Sequence, residues 1–256
     1  LLRDAVDAGA ALLDHCACLG WADRDAGRVR VRLRDDHEAE MTGRIVIDAT
    51  GYRGLLTRSG GPSDTDTLER GGVAVACREI APTEESFGSP VRAAIVLSPE
   101  GAPAGYGWVF PMGDRLANVG LGGPLAAGTQ AVKDAFALFR ARTDGPRFLA
   151  PVESGVGLLP LRPPLASMAG RGFLSVGDAA CQTNPLHGGG IAPSIIGGAM
   201  AGEAAARVGR GTPSVEALWP YNVAFMREIG AVHAAHDVLR RFLHGLPPRD
   251  IAFIAS

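Results

Sequence analysis

The chain has 256 residues, of which 46% are hydrophobic and 20% are charged, and its formal net charge is -2. This balance is typical of a globular domain, and without a basic stripe and interleaved aromatic residues it argues against a nucleic-acid partner. No secretory signal is recognisable at the start of the sequence, so the expected location is the cytoplasm.

The four cysteines, at positions 16, 18, 77 and 181, predict neither a disulfide framework nor a metal site. Cys16 and Cys18 are expected on one face of a strand, but no further metal ligand stands at a suitable spacing. Free, buried thiols in a reducing compartment are the simpler interpretation.

The N-terminal part of the chain predicts a helix followed by two kinds of strand. Residues 1–9, "LLRDAVDAG", predict an amphipathic helix that Gly9 ends. The stretch "GRVRVRLRDD" alternates apolar residues with arginine, as in a half-exposed strand. In "GRIVIDATG" a continuous apolar run precedes Thr50 and Gly51, which predicts a strand buried on both faces of a parallel sheet.

Residues 55–160 differ in character and predict an inserted antiparallel sheet. Short apolar runs at 71–80, 91–100, 105–113 and 115–123 are separated by turn residues, with "MGDR" expected at a hairpin tip. A helix is then expected at 129–142. The residues expected on its buried face are Val132, Ala135, Phe136 and Phe139.

The pattern of a buried strand followed by a helix returns after Pro160, and the chain is helical from Ser214 onward. The predicted fold class is therefore α/β, or α+β overall. An incomplete Rossmann-like domain is expected at 1–54 and 161–212, an antiparallel-sheet substrate domain at 55–160, and a helical segment at 213–256.

The stretch "GFLSVGDAACQTNPLHGGGIAPSIIGGAMAGEAAA", from Gly172 to Ala206, has the pattern of a ligand site. "FLSV" predicts a central strand with Asp178 at its carboxyl end, where open α/β sheets bind ligands. The glycines let backbone N–H groups approach a flat or anionic ligand, and a helix from about Ile191 directs its positive end there. By itself, a glycine-rich turn without a ligand explains the stretch equally well. A membrane helix over 191–208 is excluded because Glu203 and many small residues make it too weakly apolar.

The stretch "VGDAACQTNPLHGGGI" closely resembles the second FAD motif of flavoprotein reductases and hydroxylases with the para-hydroxybenzoate hydroxylase fold. "VIDATG" resembles a strand and turn near the dinucleotide in the same superfamily. The resemblance implies FAD as cofactor, with the aspartate on the ribityl chain and the Pro and Gly residues along the isoalloxazine. The implied cofactor-binding residues are Thr50, Gly51, Gly177, Asp178, Ala179, Pro185, Gly188, Gly189, Gly190 and Ile191.

The stretch "YGWVFPMGDRLANVGLG" narrows the resemblance to the geranylgeranyl reductase family, whose signature Y-x-W-x-F-P-x8-G-x-G it fits. The three aromatic residues alternate along a strand and share one face, which forms an apolar wall suited to a polyprenyl chain. Core packing would explain such a stripe alone, but the three motifs occur in the family's order. The implied substrate-binding residues are Tyr106, Trp108, Phe110, Pro111, Gly120 and Gly122.

One element of the family pattern is missing from the sequence. The family opens with a βαβ unit carrying G-x-G-x-x-G, which holds the FAD pyrophosphate, and neither "GLGGPL" nor "GVGLLP" fits it. We therefore expect the chain to be an N-terminally incomplete piece that binds FAD weakly by itself.

The resemblance implies a reductase that saturates C=C bonds of a geranylgeranyl or polyprenyl chain by hydride transfer from reduced FAD. The substrate would be a prenyl-chain lipid, pigment or quinone, the electron donor NADPH or ferredoxin, and a lipid substrate would suit peripheral membrane association. His187 and Cys181 are the candidates for the proton donor, although a loop histidine usually bonds the backbone. The H-x-x-H-D pattern of His233, His236 and Asp237 is interpreted as a packed or solvated helix face rather than half of a metal site.

Two alternative functions stay open at this point. An FAD-dependent aromatic monooxygenase or halogenase of the same fold shares "GDAA", the proline and the glycines, but has no need of the aromatic wall. A non-catalytic prenyl-lipid-binding remnant would follow from the missing nucleotide unit, and it would bind prenyl chains without a flavin.

Overall fold

A computed structural model of the protein describes residues 1–58, 72–88, 92–97, 105–142, 145–247 and 250. These residues form antiparallel sheets, a short parallel strand pair and a series of helices toward the C-terminus. The predicted mixed α/β fold class is confirmed.

The strands and helices follow one another in the predicted order. The strands are β1 (Ala17–Asp23), β2 (Arg28–Arg32), β3 (Glu38–Thr42), β4 (Val46–Asp48), β5 (Val73–Pro82), β6 (Ala94–Val96), β7 (Tyr106–Pro111), β8 (Leu116–Pro124), β9 (Glu153–Pro160), β10 (Ala169–Gly170) and β11 (Phe173–Ser175). The helices are α1 (Leu2–Asp7), α2 (Leu55–Arg58), α3 (Thr129–Arg140), α4 (Ile191–Val208), α5 (Val215–Phe225) and α6 (Ala231–His244). A π-helical turn, Met226–Gly230, joins α5 to α6.

The chain divides into two compact units, each assembled from three segments. The first unit is Leu1–Asp66, Leu165–Ala180 and Ser194–Arg227, and the second is Thr67–Pro164, Cys181–Pro193 and Glu228–Ser256. The domain boundaries predicted above follow motifs rather than packing, and they stay predictions.

The first unit contains two three-stranded sheets, with strand orders β1-β2-β3 and β10-β11-β4. β4 and β11 run parallel, with Ile47 opposite Leu174, so the parallel pairing predicted for "IVID" is confirmed. The expected burial of this strand on both faces is wrong, because the side chain of Ile47 is 40% exposed. One face of β4 is therefore open in this chain.

The second unit is built on a five-stranded antiparallel sheet with the order β6-β7-β8-β5-β9. One face of the sheet packs against α3, whose predicted buried residues are all buried. The core on this face consists of Val75, Cys77, Ala81, Val109, Ala117, Val119, Leu121, Val132, Ala135, Phe136 and Phe139. Because side chains alternate along a strand, the residues between these core positions lie on the opposite face.

The hairpin tip, strand β6 and the four cysteines were also predicted from the sequence. The "MGDR" tip joins β7 to β8 as expected, whereas the run predicted at 91–100 is described only over 92–97 and is a strand at Ala94–Val96. Cys18 lies on β1, but Cys16 precedes that strand, so the pair does not share a strand face. All four cysteines are free thiols; Cys77 and Cys181 are buried and the other two are half-buried.

The part of the chain that the structure describes contains neither a membrane-spanning helix nor a metal-binding cluster. Over those residues, no helix combines the length and the hydrophobicity needed to cross a bilayer. No group of His, Cys, Asp and Glu side chains within the same residues could hold a metal ion.

Candidate functional site

In the first unit, the carboxyl ends of β4 and β11 lie side by side. The N–H of Val176 donates to the carbonyl of Asp48 at 2.9 Å, which extends the parallel pairing by one bond. The turns that follow the two strands, Gly51–Arg53 and Gly177–Ala180, pack against one another. The structure thus brings together the two cofactor-binding segments that were predicted from separate motifs, as expected at the edge of a parallel sheet.

A fully buried carboxylate holds this strand end together. The two oxygens of Asp48 accept five hydrogen bonds of 2.6–3.1 Å, three of them from backbone N–H groups. The donors are the N–H and hydroxyl of Thr50, the N–H of Leu56, and the N–H and hydroxyl of Thr57. Sequence reasoning missed this role, although an aspartate followed by threonine at the start of a helix is a capping signal.

The predicted cofactor residues at this strand end differ in the groups that they present and in how deeply they are buried. The Thr50 hydroxyl donates to Asp48 and accepts from the N–H of Leu55 at 2.7 Å, so it is already engaged. Gly51 has φ +68°, and a Cβ added there would meet no atom within 4 Å. Asp178 lies in the turn Gly177–Ala180 that follows β11, and it is half-buried. Gly177 also has positive φ, whereas Ala179 is buried and can present only its backbone.

In the second unit, residues 184–190 form a compact turn that we call the glycine loop. Asn184 is its centre: the backbone N–H donates to the carbonyl of Gly189 at 3.0 Å, and the carbonyl accepts from Gly188 at 2.9 Å. The side-chain oxygen of Asn184 accepts from the N–H of Leu186, also at 2.9 Å. Gly188 has φ +69°, a conformation that favours glycine and that the tight turn requires.

The aromatic wall predicted from the sequence is present on the face of the five-stranded sheet opposite α3. The ring centroids of Tyr106 and Trp108 lie 5.9 Å apart, and those of Trp108 and Phe110 lie 6.3 Å apart with nearly parallel rings. The indole N–H of Trp108 donates to the side-chain oxygen of Asn118 across β7 and β8, at 3.0 Å. Phe110 is 39% exposed, so the wall has a free apolar surface.

The two glycines of the signature, Gly120 and Gly122, differ in how much space surrounds them. Gly120 is paired with Trp108, and a Cβ there would lie 2.1 Å from the indole ring, so only glycine leaves room for it. At Gly122 a Cβ would lie 3.8 Å or more from its neighbours, which is ordinary contact. Gly122 instead belongs to a trough of small residues beside the wall, on the same face by strand register. The trough comprises Ala74, Ala76, Gly122 and Gly157, and Arg78, which pairs with Gly120 and Gly155, bounds it on β5.

The glycine loop rests on the aromatic wall. The hydroxyl of Tyr106 donates to the backbone carbonyl of His187. Gly188 approaches Leu159 so closely that an added Cβ would lie 3.0 Å from its side chain. Between loop, wall and α6 lies a pocket of about 120 Å³. It is smaller than sites that enclose a whole drug-sized ligand, so it suits one part of a longer molecule.

The pocket is mostly apolar with a few polar groups at one side. Its lining includes the wall and trough residues Tyr106, Trp108, Ala74, Ala76 and Gly122, the loop residues Pro185, Leu186, His187 and Gly188, and Arg240 and His244 of α6. Arg240 is buried and paired with the carboxylate of Asp237 at 2.8 Å. The same carboxylate also pairs with Arg241 at 2.8 Å, so two guanidinium groups of α6 share it.

Burial shifts the protonation of two groups in this unit. Desolvation raises the pKa of the Tyr106 hydroxyl, so the group that binds the loop stays protonated at neutral pH. Desolvation, followed by the nearby His236 and His187, lowers the pKa of His233. The His233 side chain is 4% exposed, and its Nδ1 has no hydrogen-bond partner among the described groups. The packed-face interpretation of the H-x-x-H-D pattern is confirmed there.

The two candidate proton donors occupy different environments. The Nδ1 of His187 accepts from the N–H of Gly189 at 3.2 Å, which fixes the neutral tautomer with its proton on Nε2. An imidazole donates a proton readily only when both of its nitrogens are protonated. A proton on Nδ1 of His187 would require that the bond from Gly189 be released first. Cys181 is fully buried at φ +56°, an unusual conformation for a residue with a side chain. Both residues stay predictions as proton donors.

The remaining predicted site residues lie in varied positions. Pro185 is buried in the glycine loop, Gly189 and Gly190 are half-buried, and Ile191 begins α4 with its side chain 82% exposed. Pro111 ends β7 beside the wall. A Cβ at Gly189 would collide with the imidazole of His187, which folds back over it.

Comparison with known proteins finds a family model that matches part of the second unit and relatives that match most of the chain. Residues 73–157 match the family model described as the geranylgeranyl reductase catalytic domain. A digeranylgeranylglycerophospholipid reductase of Sulfolobus acidocaldarius is 31% identical over 99% of this chain and 58% of its own length. Digeranylgeranylglycerophospholipid reductase 1 of Methanopyrus kandleri is 37% identical over 80% of this chain and 54% of its own. The chain thus spans less than two thirds of the length of these relatives.

Solved structures share the fold. A geranylgeranyl bacteriochlorophyll reductase-like protein of Thermoplasma acidophilum superimposes with a TM-score of 0.84 at 24% identity, over 94% of this chain and 61% of that one. A flavin-dependent brominase superimposes with a TM-score of 0.71 at 19% identity, with the same coverage.

Proposed function

Because this chain belongs to the geranylgeranyl reductase family, we propose that its protein is an FAD-dependent reductase that saturates C=C bonds of a polyprenyl chain. The observation that carries the proposal is the hydrogen bond from Tyr106 to the His187 carbonyl. Through it, the loop that would line a flavin and the wall that would line a prenyl chain form one pocket. A hydride donor and an alkene must lie this close together for transfer to occur.

Each unit by itself offers positions that suit one part of FAD. Gly51 offers backbone in front of open space at the strand end, where a nucleotide or polyol can approach closely. The carboxylate of Asp178, at the end of β11, is a suitable acceptor for ribityl hydroxyls. The backbone of Gly188, Gly189 and Gly190 would lie along the flat isoalloxazine. When bound, FAD supplies the hydride, and the chain supplies binding and orientation.

The aromatic wall and the trough would bind and orient the prenyl chain. On β5, Ala74 and Ala76 would give an extended chain a short apolar bed, which ends at the charged side chain of Arg78, paired with Glu153. Both Trp108 and Phe110 can pack along such a chain, and the wall excludes water from it. Since the pocket holds only part of a long molecule, the rest of the substrate would extend along the wall past Phe110, which is 39% exposed.

The relatives point to the substrate class. They are named for digeranylgeranylglycerophospholipid, a prenyl-chain lipid, and we propose a substrate of this class for the present protein. Prenylated pigments and quinones are the alternatives within the class. We propose NADPH or ferredoxin as the electron donor, and peripheral association with the membrane that holds the lipid.

A second candidate is an FAD-dependent halogenase or aromatic monooxygenase, favoured by the structural similarity to the brominase. Its reaction requires oxygen, whereas reduction of an alkene does not. The discriminating experiment incubates the protein, expressed from its complete reading frame and loaded with FAD, with a digeranylgeranyl lipid and dithionite under anaerobic conditions. A mass gain of two hydrogens per reduced bond supports the proposal. Turnover of NADPH only in air, without saturation of the lipid, overturns it in favour of the second candidate.

A lipid-binding remnant without a flavin is the remaining possibility, and the same preparation tests it. Such a protein would bind the digeranylgeranyl lipid but would neither retain FAD nor saturate the lipid. Retention of FAD after gel filtration, with its visible absorption bands, contradicts the remnant.

A further inference from the structure

The glycine loop has a second anchor besides Tyr106, and it lies on α6. The side-chain Nδ2 of Asn184 is 2.8 Å from Nδ1 of His236. Asn184 is 5% exposed, so this contact is shielded from water. Neither motif that identifies the family includes His236.

The direction of this hydrogen bond follows from the rest of the loop. The side-chain oxygen of Asn184 already accepts from the N–H of Leu186, which fixes the orientation of the amide. Its Nδ2 group therefore faces His236 as a donor, and Nδ1 of His236 must be the acceptor. His236 is held as the neutral tautomer with its proton on Nε2.

Asn184 ties the loop together through both its backbone and its side chain. Three of its internal hydrogen bonds, with Gly189, Gly188 and Leu186, involve Asn184. The two anchors therefore act on different parts of the loop: Tyr106 holds the carbonyl of His187, and His236 holds the central asparagine. A shift of Asn184 would move the backbone of Gly188 and Gly189, which are bonded to it directly.

We propose that His236, acting through Asn184, positions the glycine loop in the conformation that receives the isoalloxazine ring. The inference rests on the proposed function, because it takes the loop as the flavin-lining segment. His236 is a positioning residue: it touches the loop and neither the flavin nor the alkene.

The chain offers a matched pair of variants for the test. In His236→Asn the side-chain oxygen stands near the former Nδ1 and can accept from Asn184, so the anchor is kept. In His236→Phe the ring shape is kept and the acceptor is lost. The comparison therefore isolates the hydrogen bond from the packing of α6.

Two readouts are measured on both variants and on the wild-type protein. Amide hydrogen exchange without FAD is expected to rise over residues 184–190 in His236→Phe, and to stay at the wild-type level in His236→Asn. FAD binding, followed by quenching of flavin fluorescence, is expected to weaken about three- to tenfold in His236→Phe only, the effect of one buried neutral hydrogen bond.

If amide exchange over residues 184–190 is equal in His236→Phe and in the wild-type protein, then His236 does not anchor the loop and the inference is overturned. Faster exchange with unchanged FAD affinity also overturns the inference, because the flavin then does not depend on the loop conformation. If His236→Phe does not fold, His236→Gln replaces it with the same expectations. The longer Gln side chain carries its oxygen past the position that Nδ1 of His236 occupies, so it does not restore the bond to Asn184. Failure of the wild-type protein to bind FAD or reduce the lipid is a separate result, which overturns the proposed function while the exchange comparison still reports on the anchor.

Discussion

The hydroxyl of Tyr106 on β7 donates a hydrogen bond to the backbone carbonyl of His187 in the glycine loop. Tyr106→Phe removes this bond and keeps the ring in the wall. We expect the free energy of unfolding to fall by about 1 kcal/mol, the usual value of one such bond, and kcat/KM for the prenyl lipid to fall more than tenfold. Urea denaturation and steady-state kinetics measure the two effects. Wild-type kcat/KM in Tyr106→Phe would mean that the bond does not position the loop.

The same hydroxyl predicts a dependence of stability on alkaline pH. Burial raises the pKa of Tyr106 above its ordinary value of 10.0, so the folded protein holds this proton more tightly than the unfolded chain. The associated stability is fully present below pH 10.0 and is lost as the pH rises through the folded pKa. In thermal unfolding measured from neutral to strongly alkaline pH, the melting temperature of Tyr106→Phe should decline less steeply than that of the wild-type protein. Parallel curves for the two proteins would contradict the prediction.

The two signature glycines should respond differently to the same substitution. Gly120→Ala places a Cβ 2.1 Å from the Trp108 ring and should cost about 1–3 kcal/mol of unfolding free energy, as overpacking usually does. Gly122→Ala makes only ordinary contacts, so the fold should tolerate it while the trough becomes narrower. We expect a raised KM for the prenyl lipid with little change in stability. A stability loss in Gly122→Ala as large as that in Gly120→Ala would contradict this account.

Gly51 can be tested against a glycine with the same backbone conformation elsewhere in its unit. Gly51→Ala and Gly209→Ala both place a side chain at positive φ, so both should lose about 1 kcal/mol of unfolding free energy. Only Gly51→Ala should also weaken FAD binding, because its Cβ enters the open space in front of the strand end. Flavin fluorescence titration of both variants measures this. Equal FAD affinities would remove Gly51 from the cofactor site.

Two aspartates at adjacent strand ends should have opposite phenotypes. Asp48→Asn turns an amide N–H₂ toward groups that are themselves donors, so we expect a loss of about 3 kcal/mol in unfolding free energy. Asp178→Asn should instead weaken FAD binding with a smaller effect on stability, because the Asp178 side chain is half-buried. Chemical denaturation and FAD titration of both variants separate the two roles. Reversed phenotypes would exchange the structural and the binding aspartate.

His233 predicts a dependence of stability on acidic pH. Burial is the main cause of its lowered pKa, so the unfolded chain binds a proton below pH 6.5 more readily than the folded protein does. The stability contributed by neutral His233 is present above pH 6.5 and is lost as the pH falls through the folded pKa. His233→Leu should unfold less readily in acid, by denaturation between pH 7 and pH 5 (about the range in which histidine titrates). An unchanged acid profile would assign the titration to other groups.

The sequence predicted the elements of the site better than their connections. The alternation of Tyr106, Trp108 and Phe110 predicts a shared face because a strand has a period of two, and the face is there. Asp178 follows its strand as predicted from the apolar run before it. The first inference depends only on local periodicity, and the second only on a local apolar run.

The anchors of the loop could not be predicted in this way. His236 stood in an apparent packing pattern, and only the folded chain brings it to Asn184. The buried role of Asp48 was also missed, because an apolar strand that ends in aspartate predicts a ligand as readily as a helix cap. The His236 contact depends on which elements become neighbours, which local patterns leave open, whereas the donors to Asp48 all lie within 9 residues of it.

The sequence separation of the loop's two anchors has a consequence for folding. Tyr106 lies 81 residues before His187, and His236 lies 52 residues after Asn184. Contacts between such distant residues form only after long segments of chain have closed, so they belong to late stages of folding. The glycine loop should therefore acquire its conformation after the antiparallel sheet and α6 have both formed. A flavin that binds this loop would act on a nearly native chain, and would stabilise the finished unit rather than direct its assembly.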